Sequence, residues 1–287
     1  MNRFLKRAWA EIDLDALTHN YNEIKKLAKG KEILAVVKAN AYGHDDKAVC
    51  LKLQELGVKY YGVSNLWEGE KLRQHGITGT VLTFGYTDED YFDELLEYGI
   101  TQTAGSVQYA KELSDYAVSK GVKLPVHIKV NTGMTRVGID TEEEMLEILA
   151  MPGLDCKAAY THFAAADSFE PSDIEYTNRQ QEKLMKIASD KGLLIHSQNS
   201  GGIVYHGEFG GDIVRAGVIL YGHCPNYPLE VPFEMKSVMT VKSVVSQLKT
   251  IPAGTQISYG RTYTADKEMT VAVIPVISVI SAQRERC

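Results

Sequence analysis

The chain has 287 residues, of which 44% are hydrophobic and 24% charged, and a formal net charge of -6 at pH 7. This composition is typical of a globular protein long enough for one large barrel or two smaller domains, and it excludes an extensively disordered chain. Lysines and arginines are scattered along the sequence, so it carries no basic cluster for nucleic acid or an anionic membrane. We expect the partner to be a small molecule.

The cysteines and the N-terminal sequence favour a cytoplasmic location. Cys50, Cys156, Cys224 and Cys287 are widely spaced, and no two form a CxxC pair. The start MNRFLKRAWAEI lacks the apolar core of a secretory signal, and no run of about 18 apolar residues could span a bilayer.

Short β-rich runs alternate with amphipathic helical patterns as far as residue 222. The eight runs are ILAVVKAN (33–40), YYGVSN (60–65), TVLTFG (80–85), ITQTA (100–104), VHIKV (126–130), KAAYTHF (157–163), LIHSQN (194–199) and IVRAGVILYG (213–222). The helical patterns include DALTHNYNEIKKLA, DKAVCLKLQELG, SVQYAKELSDYAVSKG and EYTNRQQEKLMKIASDKG. Eight such units predict an α/β fold, a (β/α)8 TIM barrel.

The sequence pattern changes near Val238 to the period-two alternation of antiparallel strands, as in VMTVKSVVSQLKTI and EMTVAVIPVISVIS. We therefore predict a barrel over residues 1–235 and a β-domain over residues 236–287. Residues 7–13 are a candidate strand for pairing with that β-domain.

Polar residues recur where the predicted barrel strands end, which is where barrels collect their reactive groups. Lys38 follows the apolar run ILAVV, where partial desolvation can lower the pKa of an amine that attacks carbonyls, as in a Schiff-base lysine. The alternative is a lysine at a strand end that only reaches water.

Two further segments admit two interpretations each. Asn199, Ser200 and the glycines after them could cradle a phosphate at a helix N-terminus, or could form an ordinary strand-to-helix turn. Arg215 lies in an apolar run and needs an acceptor, which could be a core carboxylate such as Asp212 or a ligand atom. His162 could be a satisfied core histidine, and no spacing near it indicates a metal site.

Six motifs in order resemble the alanine racemases, a family of fold type III enzymes dependent on pyridoxal 5'-phosphate (PLP), from about Arg7 to Pro275. The motifs are AVVKANAYGH (35–44), VNTGMTRVGI (130–139), THFAAAD (161–167), HSQNSGG (196–202), VRAGVILYG (214–222) and ISYGRTYTA (257–265).

The resemblance implies a racemase that interconverts L- and D-alanine and supplies D-alanine for peptidoglycan. Lys38 would carry PLP and act as the base on one face of the substrate α-carbon, and Tyr259 would act on the opposite face. The family's tyrosine reaches the partner subunit's barrel, so a homodimer with shared active sites is implied.

The resemblance also assigns the remaining site residues. Arg215 would hydrogen-bond the pyridine nitrogen, and His162 would link Arg215 to Tyr259. Arg136 would bind near the cofactor phenolic oxygen and the substrate carboxylate, oriented by a carbamylated lysine at Lys129. The phosphate-binding set would be Tyr42, Ser200, the Gly217 backbone and Val218, with Asn199 beside them.

The sequence departs from the family pattern after TVAVIPV. The family continues with further β-domain, whereas this chain ends in ISVISAQRERC (277–287). We expect an incomplete, C-terminally truncated β-domain, and a chain that binds PLP but racemises poorly.

Three alternatives remain open at this stage. A serine or broad-specificity racemase shares these motifs, although such relatives carry a membrane domain ahead of the barrel. A non-catalytic PLP-binding barrel lacks the SYG motif and the β-domain. A decarboxylase of this fold places a glutamate against the pyridine nitrogen, and Arg215 argues against that arrangement.

Overall fold

The computed structural model describes residues 7–207, 209–226 and 231–276, so the predicted tail over 277–287 lies outside the described residues. The chain divides into two compact units. The larger unit is Asp13–Val238, and the smaller joins residues 7–12 to residues 239–276.

The first strand, β1 (Ala8–Ile12), belongs to the smaller unit, and the next eight strands form a closed parallel barrel. These eight are β2 (Glu32–Val36), β3 (Tyr60–Val63), β4 (Thr80–Thr83), β5 (Ile100–Ala104), β6 (Leu124–Lys129), β7 (Leu154–Tyr160), β8 (Leu194–His196) and β9 (Ile213–Ala216). They follow one another in chain order, and β9 pairs with β2 to close the ring. The predicted eight-stranded barrel is confirmed.

The barrel strands are connected by helices. In the described part of the chain these are α1 (Leu14–Leu27), α2 (Lys38–Tyr42), α3 (Asp46–Glu55), α4 (Leu66–Gln74), α5 (Phe92–Glu97), α6 (Val107–Ser119), α7 (Glu142–Leu149), α8 (Pro171–Ala188) and α9 (Ser200–Tyr205). Capping residues explain several starts: the Asp13 side chain accepts hydrogen bonds from the first turn of α1, and Thr141 with Glu144 forms a capping box on α7.

The barrel interior is packed with apolar side chains around a cluster of Leu34, Val36, Leu82 and Ile213. Gly62 shows how tight this packing is, because a Cβ there would lie 2.6 Å from the Phe84 ring. The barrel is therefore a filled core, and room for a ligand exists only at its ends.

The regular structure of the smaller unit, over its described residues, is antiparallel β-strands and one short 3-10 turn. Its other strands are β10 (Met239–Ser243), β11 (Gln247–Ile251), β12 (Gln256–Ile257), β13 (Tyr263–Thr264) and β14 (Met269–Val273). They pair antiparallel as β1 with β10, β11 with β14, and β12 with β13, which confirms antiparallel sheets after the barrel. Over the residues described, none of the helices has the length and apolar character needed to cross a membrane.

Candidate active site

A cavity of about 320 Å³ lies at the carboxyl ends of the barrel strands. It brings together every site residue predicted from the sequence except Tyr259. The predicted residues that line it are Lys38, Tyr42, Lys129, Arg136, His162, Asn199, Ser200, Arg215, Gly217 and Val218. Gly201, one of the glycines of the predicted phosphate cradle, also lines it. The lining is completed by five residues that sequence reasoning did not select: Val36, Phe84, Val137, Tyr160 and Asp167.

Lys38 begins a left-handed turn. The sequence predicted that the first barrel strand, β2, runs to residue 40, and the structure corrects this bound. The strand ends at Val36, and Ala39, Asn40, Ala41 and Tyr42 have φ values of 53°, 55°, 53° and 53°. Left-handed backbone costs about 1–2 kcal/mol for each residue with a Cβ. Hydrogen bonds within the turn, such as Gly43 N–H to the Ala39 carbonyl at 2.9 Å, and a contact from outside it, from Glu68 to the Ala39 N–H, offset this cost.

Tyr42, Ser200 and Gly217 converge at one end of the cavity. The Ser200 hydroxyl accepts a hydrogen bond from the Gly217 N–H at 3.2 Å. A Cβ on Gly217 would lie 3.2 Å from the Tyr42 hydroxyl and 3.6 Å from the Ser200 hydroxyl. The missing side chain at Gly217 therefore leaves a small space bordered by two hydroxyls. Asn199 lies beside them and caps α9, its side chain accepting from the Gly202 N–H.

Arg215 is buried, with 3% of its surface exposed, and its guanidinium is held by backbone carbonyls. Its two terminal nitrogens donate to the carbonyls of His196, Thr161 and Ser197 at 2.9, 2.6 and 2.8 Å. Asp212, the carboxylate suggested by the sequence, instead accepts from the Ile195 N–H. Burial lowers the pKa of Arg215 to about 10, and the side chain is still cationic at neutral pH.

The Arg215 Nε differs from the terminal nitrogens, because no hydrogen bond links it to any described residue. Since Arg215 also lines the cavity, this N–H is the donor left for a ligand atom.

Two buried histidines, His196 and His127, form a chain of hydrogen bonds that leads from Arg215 into the barrel. Sequence reasoning did not select either of them. Arg215 approaches His196 Nδ1 at 3.1 Å, and His196 Nε2 lies 3.0 Å from His127 Nδ1. Because arginine only donates, His196 accepts at Nδ1 and donates from Nε2 to His127. Tyr160 stacks on the His196 ring, with centroids 4.6 Å apart. The alternation HIK placed His127 on the same strand face as Lys129, and this signal could have identified it.

The buried histidines make stability depend on pH. Burial, with Arg215 nearby, lowers the pKa of His127 to about 4, so the folded chain excludes a proton that the unfolded chain binds below about pH 6.5. We expect the free energy of unfolding to fall by on the order of 3 kcal/mol from this residue between about pH 6.5 and about pH 4.

Urea unfolding across that pH range measures this slope. The variant His127→Asn should have a shallower slope than the parent chain, whereas His19→Asn, at a partly exposed histidine, should retain the parent slope. A slope unchanged in His127→Asn would contradict the prediction.

Lys129 is buried, at 6% exposure, and its Nζ has no hydrogen-bond partner among the described residues. Burial, together with the nearby positive charges of Arg215 and Arg136, holds the pKa of Lys129 well below its usual range. Both effects favour the neutral, nucleophilic amine over the ammonium at the wall of the cavity.

Arg136 is exposed and lies in the loop after β6. Asn131 shapes that loop through its side chain: Oδ1 accepts from the N–H groups of Gly133 and Thr135, and Nδ2 donates to the Asp140 carboxylate. The Tyr176 hydroxyl also donates to the Gly133 carbonyl at 2.8 Å. The loop is thus fixed at its base, with the Arg136 side chain on the cavity wall.

His162 lies at the cavity with Nδ1 3.4 Å from the Arg215 guanidinium. Burial is the main cause that lowers its pKa to about 3, and the charges of Arg215, Lys129, Arg136 and Lys38 act in the same direction. His162 is therefore neutral above about pH 4.

Tyr259 belongs to the smaller unit, in a short 3-10 turn at Tyr259–Arg261, and 99% of its surface is exposed. An exposed phenol contributes little to the packing of its own chain. Among the described residues no group of histidine, cysteine and acidic side chains could hold a metal ion.

Comparisons with known proteins match both units to one family. The model for the alanine racemase N-terminal domain matches residues 12–225, and the model for the C-terminal domain matches residues 238–276. The chain belongs to the alanine racemase family. The alanine racemase of Clostridium perfringens (strain SM101 / Type A) is 38% identical over 96% of this chain and 74% of that protein.

Solved structures of the family share the fold. The alanine racemase of Clostridium difficile 630 has a TM-score of 0.86 and 34% identity, covering 94% of this chain and 73% of that one. A histidine racemase from Leuconostoc mesenteroides subsp. sake has a TM-score of 0.85 and 27% identity, covering 94% and 74%.

Alanine racemases depend on PLP, act on alanine and are typically dimeric. The residues of this cavity fit that cofactor. A lysine follows a strand end, two hydroxyls border the space beside Gly217, and the buried Arg215 lines the cavity with its Nε free of hydrogen bonds to described residues.

Proposed function

We propose that this chain interconverts L- and D-alanine with PLP held at Lys38, and that its product serves peptidoglycan synthesis. The observation that carries the proposal is the single cavity in which Lys38, the hydroxyls beside Gly217 and the buried Arg215 meet. Membership of the alanine racemase family supports the same reaction.

The phosphate of PLP would bind where Tyr42 and Ser200 border Gly217. Their hydroxyls and the backbone of Gly217 and Val218 would donate to phosphate oxygens, with Asn199 fixing the turn beside them. Tyr42 comes from the left-handed turn after β2 and Ser200 from α9 after β8, so the bound cofactor would contact both of these barrel segments.

Arg215 would donate from Nε to the pyridine nitrogen. Its terminal nitrogens are held by three carbonyls, so the guanidinium cannot turn away. A cation at this place opposes protonation of the ring nitrogen, which favours proton return to the α-carbon over side reactions.

When bound, PLP withdraws electrons from the substrate and acidifies its α-carbon. Lys38 Nζ would then hold or deliver the proton on one face, and the Tyr259 hydroxyl of the partner subunit's copy would serve the other face. Neutral His162 can accept a hydrogen bond from Arg215. We propose that His162 in turn polarises the hydroxyl of Tyr259.

We further propose that Lys129 carries a carbamate formed with CO2. Its buried Nζ, whose neutral form the surroundings favour, would add to the carbon of CO2 and release one proton to solvent, and Arg136 and Arg215 supply positive charge for the anionic product. The carbamate would orient Arg136 toward the substrate carboxylate.

The carbamate is tested by NMR of the folded chain after incubation with 13C-bicarbonate. We expect a carbamate carbon signal that Lys129→Met abolishes and Lys183→Met, a control at a partly exposed lysine, retains. The KM for alanine should rise by about tenfold in Lys129→Met, because Arg136 loses a charged partner. A spectrum without the signal in the parent chain would contradict this assignment.

A cytoplasmic location accompanies the proposal. Cys50 and Cys156 are thiols in the structure, which suits a reducing compartment.

The test of the cofactor site is borohydride reduction of the PLP-loaded chain, followed by peptide mapping. We expect the PLP label on Lys38. A label spread over surface lysines, or no label on folded protein, would overturn the proposed function.

A further inference from the structure

Glu68 contacts the backbone that follows Lys38, although it lies in α4, the helix after the next barrel strand. The Ala39 N–H donates to Glu68 Oε1 at 2.7 Å. This bond reaches the left-handed turn at the peptide directly after Lys38, at the start of the run of positive φ values.

The other carboxylate oxygen of Glu68 is bound at the end of β3. Glu68 Oε2 accepts from both the N–H and the hydroxyl of Ser64 at 2.8 Å. The carboxylate therefore joins the loops that follow two neighbouring barrel strands, β2 and β3.

Glu68 lies in the first turn of α4. Its N–H donates to the side chain of Asn65, the N-cap of that helix, at 3.0 Å. No basic side chain in the described ranges forms a salt bridge with Glu68, so its carboxylate is satisfied by these backbone and hydroxyl donors. Hydrogen bonds to a charged acceptor are the strong ones, which suits a group that must hold strained backbone.

The geometry points to Glu68 as a positioning residue for Lys38: it fixes the Lys38–Ala39 peptide, and through the left-handed turn it also sets Tyr42. Glu68 does not line the cavity, so it acts through the backbone alone. This inference rests on the proposed function, because Lys38 matters here as the residue that holds PLP.

The test compares Glu68→Gln with two controls. A glutamine can accept from Ala39 or from Ser64, but its amide nitrogen then faces the other donors. Asn65→Ala weakens the start of the same helix but keeps the Glu68 carboxylate. Glu70→Gln changes a neighbouring carboxylate that bonds within α4, to Gln74.

We expect Glu68→Gln to remain folded, to lose hydrogen-exchange protection over residues 38–43 in the PLP-free chain, and to bind PLP about tenfold more weakly. Its kcat should fall by about tenfold while the KM for alanine changes little. Asn65→Ala should lower the Tm without these effects, and Glu70→Gln should match the parent chain.

Two results would overturn the assignment. One is a folded Glu68→Gln variant whose hydrogen-exchange protection over residues 38–43 and whose PLP affinity equal those of the parent chain. The other is an equal loss of kcat and PLP affinity in Asn65→Ala, which would show that Glu68 acts only through helix stability. If Glu68→Gln fails to fold, Glu68→Asp, with a shorter reach to Ala39, takes its place. A parent chain without a PLP label on Lys38 would instead refute the proposed function, so the two failures are distinguishable.

Discussion

Replacing Lys38 with alanine is expected to lower the racemisation rate of the PLP-supplemented chain by on the order of 10⁵-fold, the scale seen when a group at the reacting centre is removed. Lys38 lines the cavity at the end of β2, and both the covalent hold on the cofactor and the proton transfer on one face would be lost. The measurement is the rate of D-alanine formation from L-alanine with excess PLP.

The matched control is Lys47→Ala, at an exposed lysine on α3. It should keep the parent rate and the visible absorption of lysine-bound PLP, whereas Lys38→Ala should lose both. Substantial racemisation by Lys38→Ala would show that another amine holds the cofactor.

The second large effect is expected from Tyr259→Phe, which removes only the phenol oxygen. Loss of a general acid–base group costs about 10²- to 10⁴-fold in rate, and we expect kcat to fall within that range. Because Tyr259 is almost fully exposed, the Tm should not change. Tyr263→Phe, at a tyrosine that is 49% exposed in the same unit, is the control and should keep its activity.

Mixing the two inactive variants tests where Tyr259 acts. If each active site combines Lys38 from one subunit with Tyr259 from its partner, hybrid dimers of Lys38→Ala and Tyr259→Phe contain one intact site. A fully exchanged equal mixture should then recover about a quarter of the parent activity. If subunits exchange and no activity returns, the shared site is refuted.

The barrel could be predicted from the sequence because its signals are local. Each β-rich run is short and apolar and is followed by a helical pattern, and each of the eight runs overlaps one barrel strand. The strand ends were less well predicted. ILAVVKAN has no glycine or proline to indicate where the strand stops, and alanine is disfavoured in a left-handed conformation.

The left-handed turn is a tertiary feature. The carboxylate that binds Ala39 comes from Glu68, 29 residues further along the chain, and no local pattern indicates such a contact. The hydrogen-bond acceptors of Arg215 could not be predicted for a similar reason. The sequence contains a candidate acceptor, the Asp212 carboxylate, but in the structure Arg215 donates to backbone carbonyls, which any residue could supply.

Most of the candidate site could be located from the sequence, because catalytic side chains of a barrel gather where its strands end. That Lys129 Nζ has no hydrogen-bond partner among the described residues could not be predicted, since it depends on which side chains surround this atom. The pair of His127 and His196 was accessible in principle, because strand alternation turns both inward, but nothing in the sequence shows that they contact each other.

The most direct test of the account is chiral chromatography of alanine after incubation of L-alanine with the purified, PLP-loaded chain. We expect D-alanine to accumulate until the two enantiomers are equal, and the same end point to be reached from D-alanine. If folded chain carries PLP on Lys38 but produces no D-alanine from either direction, the assignment as a racemase is contradicted.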